Sequence, residues 1–487
     1  MNRRTVDVVV IGAGPVGENV ADRTAQAGLD TLIVERELVG GECSYWACIP
    51  SKAMLRSAHV LRLARALPGA AEAVTGELDV AAVLARRDRF TDHRSDAGQV
   101  AWLESADIGL LRGSGRLSGP REVTVIGDDG QTTVVTARHA VALATGSVPV
   151  LPDVPGLAEA APWTSREATS ATSVPERLAI LGGGVVAVEI ATAFAGFGSE
   201  VTVVARSGLL GAFEPFAGEQ VTAGLRELGV TVLEHTAVER VDRVGERVTI
   251  TTDGGVVEAS EVLVATGRRA AVDGLGLETV GLDPAQRLRV DDTMLVDGSE
   301  WLYAVGDVNG RALLTHQGKY QARAAGDAIA ARALGLPVDD APWGAHVATA
   351  DHHAVPSVVF SDPEVASVGL TAAAARDAGL DVRVVDYEIG HVSGAALSRD
   401  GFSGTARMVV DEARGVVVGA TFAGPEVAEL VQTATTAIVG EIPLARLWHA
   451  VPAFPTVSEV WLRLLEAYGR PALGNGARVA DDDEEAA

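Results

Sequence analysis

The sequence predicts an α/β fold: two Rossmann-like dinucleotide-binding domains followed by a C-terminal α+β domain. Three observations carry this. Strand, glycine-rich turn, helix and strand succeed one another in the first 35 residues. The same succession recurs from Leu178. From about Pro356 the texture changes to short strands interleaved with helices. A length of 487 residues by itself asks for about three or four domains.

In the first copy, Val6–Ile11 is an apolar run of strand length, followed by Gly12-Ala13-Gly14-Pro15-Val16-Gly17, a GxGxxG turn. Glu18–Ala27 has helical composition, Gly28 stops it, and Thr31–Val34 is a second strand ending at Glu35. An acid about 20 residues beyond such glycines stands where a dinucleotide fold places its ribose-binding carboxylate. In the second copy, strand Leu178–Leu181 meets Gly182-Gly183-Gly184-Val185-Val186-Ala187, then helix Val188–Phe197 and strand Val201–Val204. The glycines Gly182 and Gly184, with Ala187 in the third place, let a pyrophosphate approach a helix N-terminus.

The second copy ends on Ala205-Arg206 in place of an acid. Without that carboxylate nothing repels a 2′-phosphate, and Arg206 can bind one, which favours NADPH over NADH. The plainer alternative is a solvated arginine in an arginine-rich chain, with NADH still possible. Ala144-Thr145-Gly146 and Ala265-Thr266-Gly267 each follow a strand-like run and return the chain at a domain edge. Tyr303–Asp307 reads as a strand ending in Gly306-Asp307, a carboxylate at the sheet edge where α/β folds bind ligands. Beyond Pro356, strands are expected at 358–360, 366–368, 382–387, 406–410 and 415–422, with helices at 371–378 and 426–438. Residues from about Asn475 onward read as a disordered acidic tail.

Composition narrows the function. At 47% hydrophobic and 22% charged, the chain is globular material. A net charge of −25 argues against nucleic acid and against an anionic membrane surface. With neither a long apolar span nor a signal-type start, the expected place is the cytoplasm. There are two cysteines, Cys43 and Cys48, and two lysines, Lys52 and Lys319. Two close thiols in such a chain read as redox-active or metal-binding, and no cluster supplies further zinc ligands nearby, so no metal site is assigned.

The chemistry concentrates in Gly40-Gly41-Glu42-Cys43-Ser44-Tyr45-Trp46-Ala47-Cys48-Ile49-Pro50-Ser51-Lys52. A helix beginning near Cys43 would put the thiols at its N-terminus, where the dipole favours thiolate. This segment resembles the redox motif of the class I pyridine nucleotide-disulfide oxidoreductases, the FAD-dependent relatives of dihydrolipoamide dehydrogenase, glutathione reductase and mercuric reductase. The likeness runs from Val6 to about Tyr468 in the family's order.

The resemblance implies a division into an FAD-binding domain in two parts (1–148 and 276–350), an NAD(P)H-binding domain (149–275), a dimerisation domain (351–474) and the tail (475–487). It implies that Gly12, Gly14, Gly17 and Glu35 hold the ADP half of FAD and that Asp307 binds the ribityl region. Gly182, Gly184 and Ala187 would hold NAD(P)H. Cys48 would be the flavin-side thiol and Cys43 the outer thiol. Lys52 would approach the flavin and pair with Glu189. A homodimer follows from the same likeness.

One position departs from the family. Its C-terminal signature carries a histidine, the acid/base for the exchanging thiol, oriented by a glutamate five residues on. Here Phe454-Pro455-Thr456-Val457-Ser458-Glu459 puts Phe454 in the histidine's place and keeps Glu459. Phenylalanine carries no proton, so a standard dithiol substrate is in question. His449, His352 and His353 are candidate substitutes, and His316 reads as a flavin-edge or structural residue. Mercuric reductase also has Phe-Pro here, and its second copy also reads Ala-Arg-Ser, but it uses a C-terminal cysteine pair that this sequence lacks. Tyr45 and Trp46 are bulkier than the family's residues, and either narrow access to the thiols or simply pack.

The expected activity is NAD(P)H-dependent reduction, electrons passing by way of FAD to a Cys43–Cys48 disulfide and on to an acceptor. That acceptor could be a small or protein disulfide, a metal ion or a quinone. The rivals are an oxidase or quinone reductase that bypasses the cysteines, and a low-turnover redox sensor.

Overall fold

The computed structural model describes residues 2–470; the expected acidic tail lies outside them. The N-terminal sheet has strand order β3-β2-β1-β6-β5-β4. Its strands are β1 (Asn2–Ile11), β2 (Thr31–Glu35), β3 (Gly109–Arg112), β4 (Ser114–Gly119), β5 (Glu122–Ile126) and β6 (Thr132–Leu143). β1 lies between β2 and β6, parallel to both, and Val6 and Val8–Val10 are sealed from solvent. A strand covered on both faces explains the unbroken apolar run. β7 (Ser147–Pro149) leads to the second sheet, β8 (Arg177–Leu181), β9 (Glu200–Val204), β10 (Thr231–Leu233) and β14 (Glu261–Val264), all parallel in the order β10-β9-β8-β14. An antiparallel meander, β11 (Val238–Val244), β12 (Arg247–Thr252) and β13 (Gly255–Ala259), is inserted before β14. β15 (Arg268–Ala270) then pairs with β7, so the chain leaves and re-enters side by side. β16 (Leu302–Ala304) joins β6 and completes the first sheet.

The C-terminal part is a five-stranded antiparallel sheet, order β17-β18-β21-β20-β19. It comprises β17 (Ser357–Val359), β18 (Glu364–Gly369), β19 (Val382–Glu388), β20 (Thr405–Asp411) and β21 (Val416–Gly424). All nine residues of central β21 are buried. One apolar core joins the parts: Met54 and Leu55, the second sheet, and Val359, Val365 and Ala423 of the C-terminal sheet belong to a single cluster.

Each glycine turn is fitted to one Ala-Thr-Gly segment. Gly12 has φ +102°, and a Cβ there would stand 2.4 Å from the Ala144 carbonyl oxygen. Gly182 has φ +131°, and its Cβ would stand 2.2 Å from the Ala265 oxygen. Only glycine combines that backbone with that approach.

Element bounds differ from expectation where a local signal outweighs composition. The first helix, α1 (Pro15–Gln26), starts three residues before Glu18 because Gly14 caps it and Pro15 takes its first position. The second copy's helix likewise starts at Val185, not Val188. The strand expected to run to Asp307 stops at Ala304, since Gly306 turns at φ +79° and Gly306–Asn309 closes a 3₁₀ turn. The helix expected over 426–438 begins late, as a 3₁₀ turn at Ala428–Leu430 and an α-helix at Val431–Val439, because Glu426 takes a positive φ of +51°. The meander and the last helix, Val460–Tyr468, were not anticipated. Among the described residues no helix is long and apolar enough to cross a membrane.

Candidate redox site

The loop after β2 builds the site. Gly40 and Gly41 both have positive φ, +110° and +59°. The Gly40 amide donates to the Ala13 carbonyl at 2.7 Å, and a Cβ on Gly41 would stand 2.7 Å from the Gly14 Cα. The two glycines therefore lay the cysteine segment directly on the first nucleotide turn. A short helix α2 (Gly41–Tyr45) carries Cys43, and α3 (Cys48–Arg65) begins at Cys48. The expected single helix is thus two, and Cys48 alone occupies the first turn of a long one.

Both thiols are free in this structure. Cys48 is held down to about 6 by a hydrogen bond from the Cys43 thiol, with Thr315 and the Lys52 charge adding to it against burial. The Thr315 Oγ1 lies 3.3 Å from the Cys48 Sγ. Cys43 moves the other way, far above the usual thiol range, because its proton is committed to Cys48 and burial opposes its charge. The pair is polarised, with the thiolate form favoured on Cys48 and the thiol form on Cys43.

One turn into α3, the Lys52 Nζ donates to the Glu189 Oε2 at 2.6 Å. Glu189 lies on α7 (Val185–Gly196), with its side chain 6% exposed. Its other oxygen, Oε1, accepts from the Phe360 backbone N–H at 3.0 Å, and Phe360 presents its ring 5.0 Å from the lysine nitrogen. This cluster joins three segments distant in sequence.

Tyr45 and Trp46 pack inward, 2% and 7% exposed. The Tyr45 hydroxyl donates to the Val39 carbonyl, and the Trp46 carbonyl accepts from Thr169 Oγ1 at 2.7 Å. The Arg166 guanidinium lies 3.9 Å over the Trp46 ring and pairs with Glu37 and Glu42, both at 2.8 Å. Arg166 and Thr169 belong to α6 (Ser165–Ser170), which clamps the redox loop from outside.

The remaining expected residues frame two cradles. Glu35 ends β2 buried, accepting from the Ala13 amide on Oε2 and the Glu37 amide on Oε1, each at 2.7 Å. A Cβ on Gly17 would overlap the Gly12 carbonyl oxygen, so helix and turn close only as glycine. α1 and α7 both start at a glycine with no side-chain cap, Gly14 and Gly184. Their first-turn N–H groups are therefore left for an anion, which fits a dinucleotide at each turn. Ala187 is fully buried behind Gly182 and Gly184. Asp307 follows Gly306, which packs on Val16 of the first turn. Its Oδ2 accepts from Ser147 Oγ at 2.6 Å, itself held by Arg268, and burial raises the carboxyl. Gly146 and Gly267 sit at the two crossings between sheets, at φ +73° and +131°. Arg206 is exposed just past β9, next to buried Ala205.

The C-terminal segment stays apart from the cysteines within the chain. Phe454 is 74% exposed, while Glu459 is buried and its Oε1 accepts from Arg463 at 2.6 Å. His316 bonds the Pro356 carbonyl, His352 bonds Asp292, His353 lies beside Trp343, and His449 is exposed. Thr315, Ser147, Arg166 and Thr169 escaped sequence reasoning, having no motif; Thr315, at the first position of α9 (Thr315–Ala333), carried only the signal of a helix start.

Residues 6–327 match the pyridine nucleotide-disulphide oxidoreductase family, and residues 355–464 match its dimerisation domain. The chain belongs to that family. Among its relatives in this pyridine nucleotide-disulphide oxidoreductase family, the mercuric reductase of Acidithiobacillus ferrooxidans is 34% identical over 458 residues, 93% of this chain and 80% of that protein. The dihydrolipoyl dehydrogenase of Chlamydia trachomatis is 33% identical over 461 residues, 93% of this chain and 95% of that one. The HOCl-induced flavoprotein disulfide reductase RclA of Escherichia coli shares the fold at a TM-score of 0.81 and 23% identity, covering 96% of this chain and 99% of that one. As a pyridine nucleotide-disulphide oxidoreductase the chain is a flavoprotein enzyme that uses FAD and NAD(P)H, and its dimerisation domain makes it a homodimer.

Proposed function

We propose that this enzyme is an NADPH-dependent reductase in which the Cys43–Cys48 pair relays two electrons to an acceptor that needs no proton from an imidazole. The observation that supports it is the polarised pair, Cys48 as thiolate at the head of α3 and Cys43 as thiol, beside the Lys52–Glu189 ion pair. FAD, when bound, would supply the two-electron chemistry that links the nicotinamide to the disulfide.

The chain's own residues do the rest. Gly12, Gly14, Gly17 and Glu35 would hold the ADP half, with Gly146, Gly306 and Asp307 along the ribityl and Gly267 at the second crossing. Gly182, Gly184 and Ala187 would take the nicotinamide dinucleotide, with Arg206 free to meet a 2′-phosphate. Lys52 holds a positive charge next to Cys48, fixed by Glu189. Cys43 would exchange with the acceptor, and the Cys48 thiolate is the base beside its proton. Phe454 removes the family's usual proton carrier, and Glu459 remains without it. A disulfide acceptor needs its leaving thiolate protonated, a step that a positioned acid/base speeds by about 10²–10⁴-fold. A thiophilic metal ion instead binds the Cys48 thiolate directly and displaces the one proton, that of Cys43. Phe454 thus supports a metal ion over a disulfide, and the mercuric reductase relative points the same way.

An anaerobic titration with NADPH tests the relay. A long-wavelength charge-transfer band and uptake of about two NADPH per flavin are expected. Simple bleaching at one equivalent would overturn the relay and leave direct transfer from the flavin to oxygen or a quinone.

A further inference from the structure

A cavity of about 530 Å³ opens along the outer face of α3, between that helix, α4 (Val80–Phe90), Thr192 of α7 and residues 360–364. That volume is in the range of small-molecule sites. Cys48 and Lys52 are among its lining residues. Its walls are mainly apolar, with Ile49, Ala53, Phe90 and Phe360, and both Ile49 and Phe90 stay substantially exposed.

The charge in the walls runs against the rest of the protein. The chain has 40 basic and 65 acidic residues, yet the lining holds Lys52, Arg56, Arg62 and Arg86 against one carboxylate, Glu364. Lys52 and Arg62 are answered by Glu189 and Asp362, at 2.6 Å and 2.7 Å. Arg56 reaches Glu426 only at 4.0 Å. Arg86 has no carboxylate partner among the described residues; it donates to the Ala53 carbonyl and lies over the Phe90 ring. Burial pushes the Glu364 carboxyl up to about 7, which weakens the one negative charge in the wall. A second observation points to a ligand. His59 lines the same cavity at 8% exposure, and its Nε2 has no partner among the described residues. A buried ring nitrogen left unpaired is unfavourable unless something supplies the bond.

We propose that this cavity binds a flat apolar acid, a ring system carrying one carboxylate or sulfonate. The ring lies against Ile49, Ala53 and Phe360, and the acid group meets Arg86, Arg56 and the His59 Nε2. The site does not depend on which acceptor the enzyme reduces.

Naphthalene-2-sulfonate is the probe, with neutral 2-naphthylmethanol as control, on FAD-loaded dimer, and binding is read by isothermal titration calorimetry. The sulfonate should bind at one site per chain, and the neutral control should bind at least tenfold more weakly. Arg86→Gln and, separately, His59→Phe should each weaken sulfonate binding about tenfold, flavin content being unchanged. Absence of binding would overturn the proposal. So would equal binding of the neutral control, or unchanged binding by both variants.

Discussion

Replacing Thr315 by valine keeps the side chain's shape and removes the hydroxyl 3.3 Å from the Cys48 sulfur. A hydrogen bond to a charged acceptor contributes about 1.5–3 kcal/mol, and one pKa unit corresponds to about 1.4 kcal/mol, so the bond holds the thiolate down by roughly one to two units. Sulfur spreads its charge, which favours the lower end. Cys48, held at about 6, should rise to about 7 in Thr315→Val. The sign follows from the charged form: the hydroxyl stabilises thiolate, so its loss raises the pKa and the thiolate forms at higher pH. At pH 7 the thiolate fraction should fall from about nine tenths to about one half. The assay is the pH dependence of iodoacetamide alkylation of the reduced enzyme, with the charge-transfer absorbance followed in parallel. An unmoved midpoint, or one displaced downward with flavin content intact, would refute the assignment of Thr315 as the thiolate's donor.

Arg206→Glu should lower kcat/KM for NADPH at least tenfold more than for NADH; equal losses would dismiss the 2′-phosphate contact. Phe454→His should raise turnover on a small disulfide at least tenfold, within the range a positioned acid/base provides, and no gain would mean that access limits the reaction. Arg166→Ala removes the Trp46 stack and two ion pairs from the clamp on the redox loop, and should speed alkylation of Cys43 several-fold without loss of flavin. An unaltered rate would show that the buried rings hold the loop alone.

The fold was legible wherever glycine spacing and apolar runs coincide. Both nucleotide turns, their flanking strands and the antiparallel C-terminal sheet follow from residues that have few alternatives, such as Gly12 against Ala144. Boundaries were less legible, because a capping Gly14 or a positive φ at Glu426 decides them within a residue or two. In the site, cysteines, lysine and glutamate announce themselves by type and spacing. Thr315, Ser147 and Arg166 do not, since their partners lie 267, 160 and 124 residues away and only folding makes them neighbours. The orientation of Tyr45 and Trp46 was equally hidden, because bulk alone does not say which side of a loop a ring takes.

The Glu189 carboxylate touches Lys52 with one oxygen and the Phe360 amide with the other. The lysine's position is therefore a conjunction of three events: the redox helix laid down, the second nucleotide sheet closed and the C-terminal sheet seated. The geometry beside Cys48 is therefore complete only when all three segments, distant in sequence, are in place together.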